Sequence, residues 1–467
     1  MSDTLRPPTS LPTARPPLAT TRPLLFDAAE RAATYLEGLE GRRVAAEPGA
    51  VARLPELGGR LPDGPLDAGS VLGLLDEVGS PATFATAGGR FFGFVIGGSL
   101  PAALAANWLA GAWDQNAGLW ATSATAAYLE EVALAWALDA LGLPDGCGGA
   151  FVTGSSTAHV TALAAARDAL LAREGWDALA DGLFGAPPVT VVTSQEAHPT
   201  LLKALGVLGL GRARVKFAPA DAQGRMRAAD LPALSGPTIV CVQAGNVNSG
   251  SFDEIEEIVT LAHRAGAWVH VDGAFGLWAA ASPALAGLVR GAGGADSWAT
   301  DFHKWLNVPY DSGLAVVRDP TLLAKAMSLT AAYLPTLDRR EPAAFTLELS
   351  RRARGVEVWA ALRSLGRSGL AELVDRTCRH ARRFAQSLAE AGHEVLNDVV
   401  LNQVLVAFGD DARTRSVVRD VQNEGVCWCG PTVWRGRTAM RISVSSWATT
   451  DQDVELSLES ILRAARV

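Results

Sequence analysis

Short apolar runs alternate with longer stretches of helical spacing through the middle of the chain. The runs at residues 149–153, 189–193, 214–219, 238–243, 267–271, 297–300 and 313–318 are short and largely apolar, several of them β-branched, which predicts buried strands. Between them, residues 158–173, 199–205 and 255–265 repeat apolar positions every three or four residues and predict helices. The last of these stops at Gly266, a residue suited to the left-handed position after a helix. Strands alternating with helices imply an α/β domain with a mostly parallel sheet. Upstream, residues 24–40 and 71–78 read as helices, 45–66 as a Pro/Gly-punctuated loop, and 99–117 and 124–141 as Ala/Leu-rich helices closed by Pro144-Asp145-Gly146. Beyond Pro335 the pattern changes. Residues 338–342 read as an exposed, mobile charged loop and 354–391 as two helices. Residues 399–408, 417–424, 441–444 and 451–465 then give a β-α-β-α series, a smaller α+β domain. The division expected is a loose arm (1–22), a helical segment (23–90), a large domain (91–335), and a loop with the small domain (336–467).

Composition narrows the class. The 467 residues carry a net charge of −8, with 49% hydrophobic and 19% charged residues. The chain is long enough for a large core, and its acidic balance gives no electrostatic footing for nucleic acid. Cys147, Cys241, Cys378, Cys427 and Cys429 are odd in number and scattered, unlike a disulfide framework. Cys427-Trp428-Cys429 lacks a second ligand pair nearby, so no metal site is expected. The arm is rich in Pro, Thr and Arg without an apolar core, unlike a secretory signal. No run is long and apolar enough for a membrane span. A cytoplasmic protein is the expectation.

Candidate chemistry gathers where ligands sit in such sheets, at the carboxyl ends of strands. Gly154-Ser155-Ser156-Thr157 follows one strand and opens a helix, which suits a phosphate cradle or plain helix capping. His198 follows the 189–193 strand, where an imidazole can stack on a planar ring or shape a turn. Asp272 ends the 267–271 strand; a carboxylate there is costly unless paired, so it either holds a cation or caps a turn. Lys304 is one of four lysines in a chain whose positive charge is otherwise arginine. Lysine, unlike arginine, can form an imine, although a half-buried lysine can also simply snorkel. Cradle, stacking ring, acid and lysine, in that order, are the parts expected of a pyridoxal phosphate site.

From about Arg90 to Ala448 the sequence resembles the group II pyridoxal-phosphate-dependent amino acid decarboxylases, the aromatic amino acid and glutamate decarboxylase relatives. The pieces are Arg90-Phe91-Phe92-Gly93-Phe94, Gly154-Ser155-Ser156-Thr157-Ala158, Ala197-His198, the Gly245-to-Asp253 segment, Val271-Asp272-Gly273-Ala274, Asp301-Phe302-His303-Lys304-Trp305-Leu306, and Arg351 to Gly355 leading into Trp359. The resemblance implies the aspartate aminotransferase-like fold type I of pyridoxal-phosphate-dependent transferases, and a homodimer with shared active sites. It implies that Lys304 carries the cofactor, Asp272 pairs with the ring nitrogen, His198 stacks on the ring and Ala274 packs on its other face. Ser155, Ser156 and His303 are then the phosphate ligands, and Phe92, Gly93, Asn246 and Asn248 the substrate pocket. The implied reaction is loss of the carboxylate of an L-amino acid as carbon dioxide, giving the amine. Three departures stand out. Residues 338–346 lack the mobile-loop tyrosine that returns a proton in the aromatic enzymes, Pro342 standing near its place. Asn246-Val247-Asn248 replaces the usual Thr-Thr, and Thr157 and His159 replace a Glu and an Asn. The missing tyrosine leaves open a different reaction on the same scaffold: decarboxylative oxidation to an aldehyde, transamination or retro-aldol cleavage.

Overall fold

The computed structural model describes residues 18–328 and 339–466; the first seventeen positions of the expected arm, and Asp338 of the expected loop, lie outside them. Contacts divide the chain into two compact units, one ending at Ala85 and the other beginning at Thr86.

In the first unit a helix runs Leu18–Glu37 and another Ala68–Leu74. The stretch expected as loop contains the Pro48–Arg53 helix and a 3-10 turn, Leu54–Leu57. Pro48 stands at a first helical position, where its missing N–H costs nothing, so its proline starts a helix where the sequence reading had put a break.

The second unit is built on seven strands: β1 (Gly148–Val152), β2 (Thr190–Ser194), β3 (Lys216–Ala218), β4 (Thr238–Gln243), β5 (Trp268–Asp272), β6 (Ser297–Asp301) and β7 (Gly313–Val317). Their order is β1-β7-β6-β5-β4-β2-β3. Only β7 runs antiparallel to its neighbours, so the expected mostly parallel sheet is present. Alternation along the strands separates two cores. Val240, Val242, Val269 and Val271 belong to one; Ile239, Cys241 and Trp268 belong to the other, beneath the Ser155–Arg173 helix. Residues two apart share a face, so Trp268, His270 and Asp272 all point toward that helix.

The second sheet is antiparallel, ordered β10-β11-β9-β8, from β8 (Glu394–Val395), β9 (Gln403–Ala407), β10 (Gly430–Trp434) and β11 (Arg437–Ser443). Arg435 and Gly436, both at positive φ, make the two-residue turn of the β10–β11 hairpin. The Arg354–Glu390 helix is interrupted at Gly366 (φ 58°), which yields the two expected helices. The charged stretch expected as a mobile loop is anchored from Arg339 onward. Arg340 and Arg351 both bond buried Glu130, Glu341 accepts the Trp120 N–H at 2.7 Å, and Pro342 is buried. Its charges are spent on internal partners and not on water. Among the described residues no helix is long and apolar enough to cross a membrane.

Candidate active site

The lysine segment is held by what flanks it. Phe302, Trp305 and Leu306 are fully buried; Phe302 stacks on Phe151 with ring centroids 5.3 Å apart, and the Trp305 indole donates to Thr377 Oγ1 at 3.0 Å. Asn307 (φ 57°) closes the turn: its Nδ2 donates to the Trp305 and Ser445 carbonyls, and its Oδ1 accepts the Trp447 N–H. Gly97 passes so close to the Lys304 carbonyl that a Cβ there would overlap it. These contacts leave Lys304 partly exposed, with Nζ 2.8 Å from Asp301 Oδ2.

Asp301, at the end of β6, is the part of the site that the sequence reading missed. Its Oδ1 accepts the Ser155 N–H at 2.6 Å, and its Oδ2 accepts the Ser155 hydroxyl. Burial pushes this carboxyl up, but the charges of Lys304 and His303 and the Ser155 hydrogen bonds hold it below the usual range. A carboxylate therefore already sits at the helix N-terminus read as a phosphate cradle, and it takes both donors of Ser155. Ser156, exposed in the same first turn, has no hydrogen-bond partner for its hydroxyl or N–H among the described residues. Glycine is required beside them: a Cβ on Gly154 would stand 3.0 Å from the His303 ring, and one on Gly313 2.5 Å from Gly154 Cα. The His303 imidazole accepts the Ser312 N–H at 3.2 Å and stacks on Tyr310 at 4.4 Å; burial pushes its pKa down.

Asp272 is 5 % exposed. Its Oδ1 accepts the Ala274 N–H at 3.2 Å; its Oδ2 has, among the described residues, the His159 ring at 3.6 Å, too far for a hydrogen bond. Burial pushes this carboxyl up, but the imidazoles of His159 and His198 and the Lys304 charge outweigh it and hold it well below the ordinary range. It is an ionised buried carboxylate with one oxygen awaiting a cationic N–H, and a protonated pyridine nitrogen meets that need. The residues present therefore fit pyridoxal phosphate. His198 receives the N–H and the hydroxyl of Thr200 at Nδ1, so its proton is on Nε2; burial lowers its pKa and keeps the ring neutral.

Four residues expected in the substrate pocket are placed otherwise or in part. Phe92 is fully buried in the small-sheet core, edge-on to Phe384 at 5.1 Å, and so does not line the pocket; Phe91 and Phe94 (φ 54°) stack on Trp428 instead. Gly93 has no side chain because Trp428 occupies that space. Asn246 is buried and turned inward, its Oδ1 accepting the N–H groups of Asn248 and Ser249, which makes it a turn builder. Asn248 accepts the Thr432 hydroxyl at 2.9 Å and so ties the turn to β10. A further cation was also missed. Arg441 on β11 has its pKa lowered by burial, donates to the Val247 carbonyl at 3.2 Å, has no carboxylate within ion-pair distance among the described residues, and is close enough to His198 to depress its pKa.

Residues 81–409 match the family described as the pyridoxal-dependent decarboxylase conserved domain. The chain belongs to that family. Pyridoxal phosphate is its cofactor, and its fold is the fold type I of these enzymes. Among its relatives, an L-2,4-diaminobutyrate decarboxylase of Rhizobium meliloti is 30% identical over 78% of this chain and 75% of its own length. An aromatic-L-amino-acid decarboxylase of Sus scrofa is 28% identical over 92% and 93%. In fold it is similar to the crystal structure of Oryza sativa TDC with PLP and tryptamine (TM-score 0.89, 24% identity, 98% and 99% covered) and to that of a Rhodiola rosea 4-hydroxyphenylacetaldehyde synthase (TM-score 0.84, 23% identity, 98% and 99% covered).

Proposed function

We propose that this chain decarboxylates an L-amino acid to its amine, with Lys304, Asp272 and His198 as the residues touching cofactor or reacting atoms. One observation carries the reading: an ionised, buried Asp272 with an unsatisfied oxygen, in the same electrostatic cluster as Lys304 and His198. Bound pyridoxal phosphate supplies an acceptor for the electron pair left when carbon dioxide departs. The remaining work falls to the chain. Asp301 Oδ2, 2.8 Å from Lys304 Nζ, holds this amine in place through an ion pair. Asp272 opposes a positive ring nitrogen and keeps it protonated. Neutral His198 presents a flat ring on one side and Ala274 a methyl on the other. Ser156 and His303 are the phosphate ligands, while Ser155 acts through Asp301. Arg441 orients the carboxylate of the incoming amino acid, since a half-buried guanidinium without an acid partner is a ready anion site. The relatives act on aromatic, basic and acidic amino acids by name, so the substrate class is an L-amino acid.

A homodimer is part of the proposal. Phe94, Trp108, Leu109, Trp113, Tyr128 and Tyr310 are large and exposed in one unit, and aromatic side chains of this kind are enriched where protein subunits meet; sedimentation at micromolar concentration tests it. The reaction is tested by incubating the cofactor-loaded protein with each of the twenty amino acids and resolving products by mass. Equal amounts of carbon dioxide and amine from one of them, lost in Lys304→Ala, support the reading. Aldehyde with oxygen uptake, or a keto acid without carbon dioxide, overturns it.

A further inference from the structure

Behind Asp272 lies a buried chain of polar groups that the proposed reaction does not use. The Trp268 indole N–H donates to Ser297 Oγ at 2.8 Å. Ser297 Oγ lies 2.8 Å from His270 Nδ1, His270 Nε2 lies 3.0 Å from His159 Nδ1, and His159 Nε2 faces Asp272 Oδ2 at 3.6 Å. All five residues are almost wholly buried. The arrangement follows from the fold: Trp268, His270 and Asp272 alternate onto one face of β5, Ser297 is paired with His270 in β6, and His159 comes from the first turns of the helix above them.

We propose that Trp268, Ser297 and His270 act as positioning residues, fixing the ring of His159 with its proton on Nε2, facing Asp272. An indole N–H can only donate, and an ionised carboxylate can only accept. Ser297 therefore accepts from Trp268, and its single hydroxyl proton goes to His270 Nδ1, the other partner it has among the described residues. His270 then carries its proton on Nε2 and gives that bond to His159 Nδ1. His159 is left with Nε2–H, the one arrangement that presents a donor to Asp272. His270 is kept neutral throughout, because burial pushes its pKa down to about 3. With neutral rings, the donor-only head and acceptor-only tail select this proton order: the reverse leaves the Ser297 hydroxyl proton without an acceptor and turns a bare His159 nitrogen toward the Asp272 carboxylate. Its consequence for the cofactor rests on reading Asp272 as the ring-nitrogen partner; the proton order itself does not.

The test separates the two. Long-range ¹H–¹⁵N spectra of the cofactor-free, histidine-labelled chain, assigned with His159→Phe and His270→Phe, are expected to show both rings protonated on Nε2. A proton on Nδ1 of His159 overturns the inference whatever the enzyme's activity. In the loaded protein, His159→Phe is expected to raise the cofactor dissociation constant about tenfold and to shift the pH midpoint of its visible absorbance. Ser297→Ala is expected to move both in the same direction by less, Ser297→Thr to restore them, and His159→Phe/Ser297→Ala to match His159→Phe alone, since the serine acts only through that ring. Additive effects in the double variant overturn the proposal. If Ser297→Ala does not fold, the spectra of the unsubstituted chain still decide.

Discussion

Replacing Lys304 by alanine should destabilise the cofactor-free protein, and should do so less at low pH. The Asp301 carboxylate is 2 % exposed and its strongest partner is the Lys304 ammonium at 2.8 Å. Removing one member of a buried ion pair typically costs 3–5 kcal/mol, because the other charge is left uncompensated. Two features favour the lower end: His303 Nε2 remains 3.8 Å away, and the Ser155 N–H still donates to the carboxylate. The expected loss is therefore about 3 kcal/mol, roughly a hundredfold in the unfolding equilibrium. In the parent, the folded pKa of Asp301 lies below its unfolded value, so its contribution is present above the unfolded pKa and is lost as pH falls through the folded one. In Lys304→Ala the cation is gone, burial raises the folded pKa above the unfolded one, and the penalty fades as the carboxyl takes up a proton. Urea unfolding of both cofactor-free proteins at pH 8 and pH 5 measures this, with Lys304→Ala/Asp301→Asn as control. The control should regain most of the loss, because a neutral amide can still accept from Ser155. Parent-like stability of Lys304→Ala at pH 8, or a deficit that grows toward pH 5, would refute the reasoning.

Three other outcomes follow from the packing and the site. Gly97→Ala pushes a methyl into the Lys304 carbonyl and to within 3.0 Å of the Asn307 side chain; a loss of about 2 kcal/mol is expected from overpacking, read by thermal unfolding, together with weaker cofactor uptake by absorbance titration. Phe384→Ala opens a cavity beneath Phe92 and should cost about 3–5 kcal/mol in denaturant unfolding, while leaving the visible spectrum of the loaded protein unchanged in shape. Arg441→Met keeps the bulk and removes the charge; KM for the amino acid is expected to rise on the order of tenfold or more, from loss of a charge-assisted hydrogen bond, with cofactor affinity little altered, and an unchanged KM would remove Arg441 from substrate binding.

What could be read from the sequence depended on whether a residue's meaning was local. Asp272 and Lys304 stand out because a carboxylate ends one buried strand and a rare lysine follows the end of another, and a strand end in a parallel sheet is a place where side chains meet ligands. The β4 and β5 runs announce themselves by composition alone. Asp301 was visible three positions before Lys304, but its role is defined by Ser155, 146 positions away, and no local pattern carries that distance. The same holds for residues 339–342: charge and proline read as an exposed loop until Arg340 meets Glu130, 210 positions earlier. Phe92 was misplaced because Phe-Phe-Gly-Phe gives no sign of which ring faces inward. β10 was overlooked because Pro431 and a half-exposed alternation lack the apolar continuity of the central strands.

The stitching of Phe92 into the small sheet has a bearing on how the polypeptide is made. The Phe92 N–H bonds the Trp428 carbonyl, its own carbonyl receives the Ser443 N–H, and Gly89 accepts the Thr449 hydroxyl across 360 positions. This segment thus has no home until Trp428, Ser443 and Thr449 have left the ribosome. Synthesis must run past Ser443 before the smaller lobe can close, and a fragment stopping short of it would keep Phe92 and its neighbours uncovered, greasy and prone to clump.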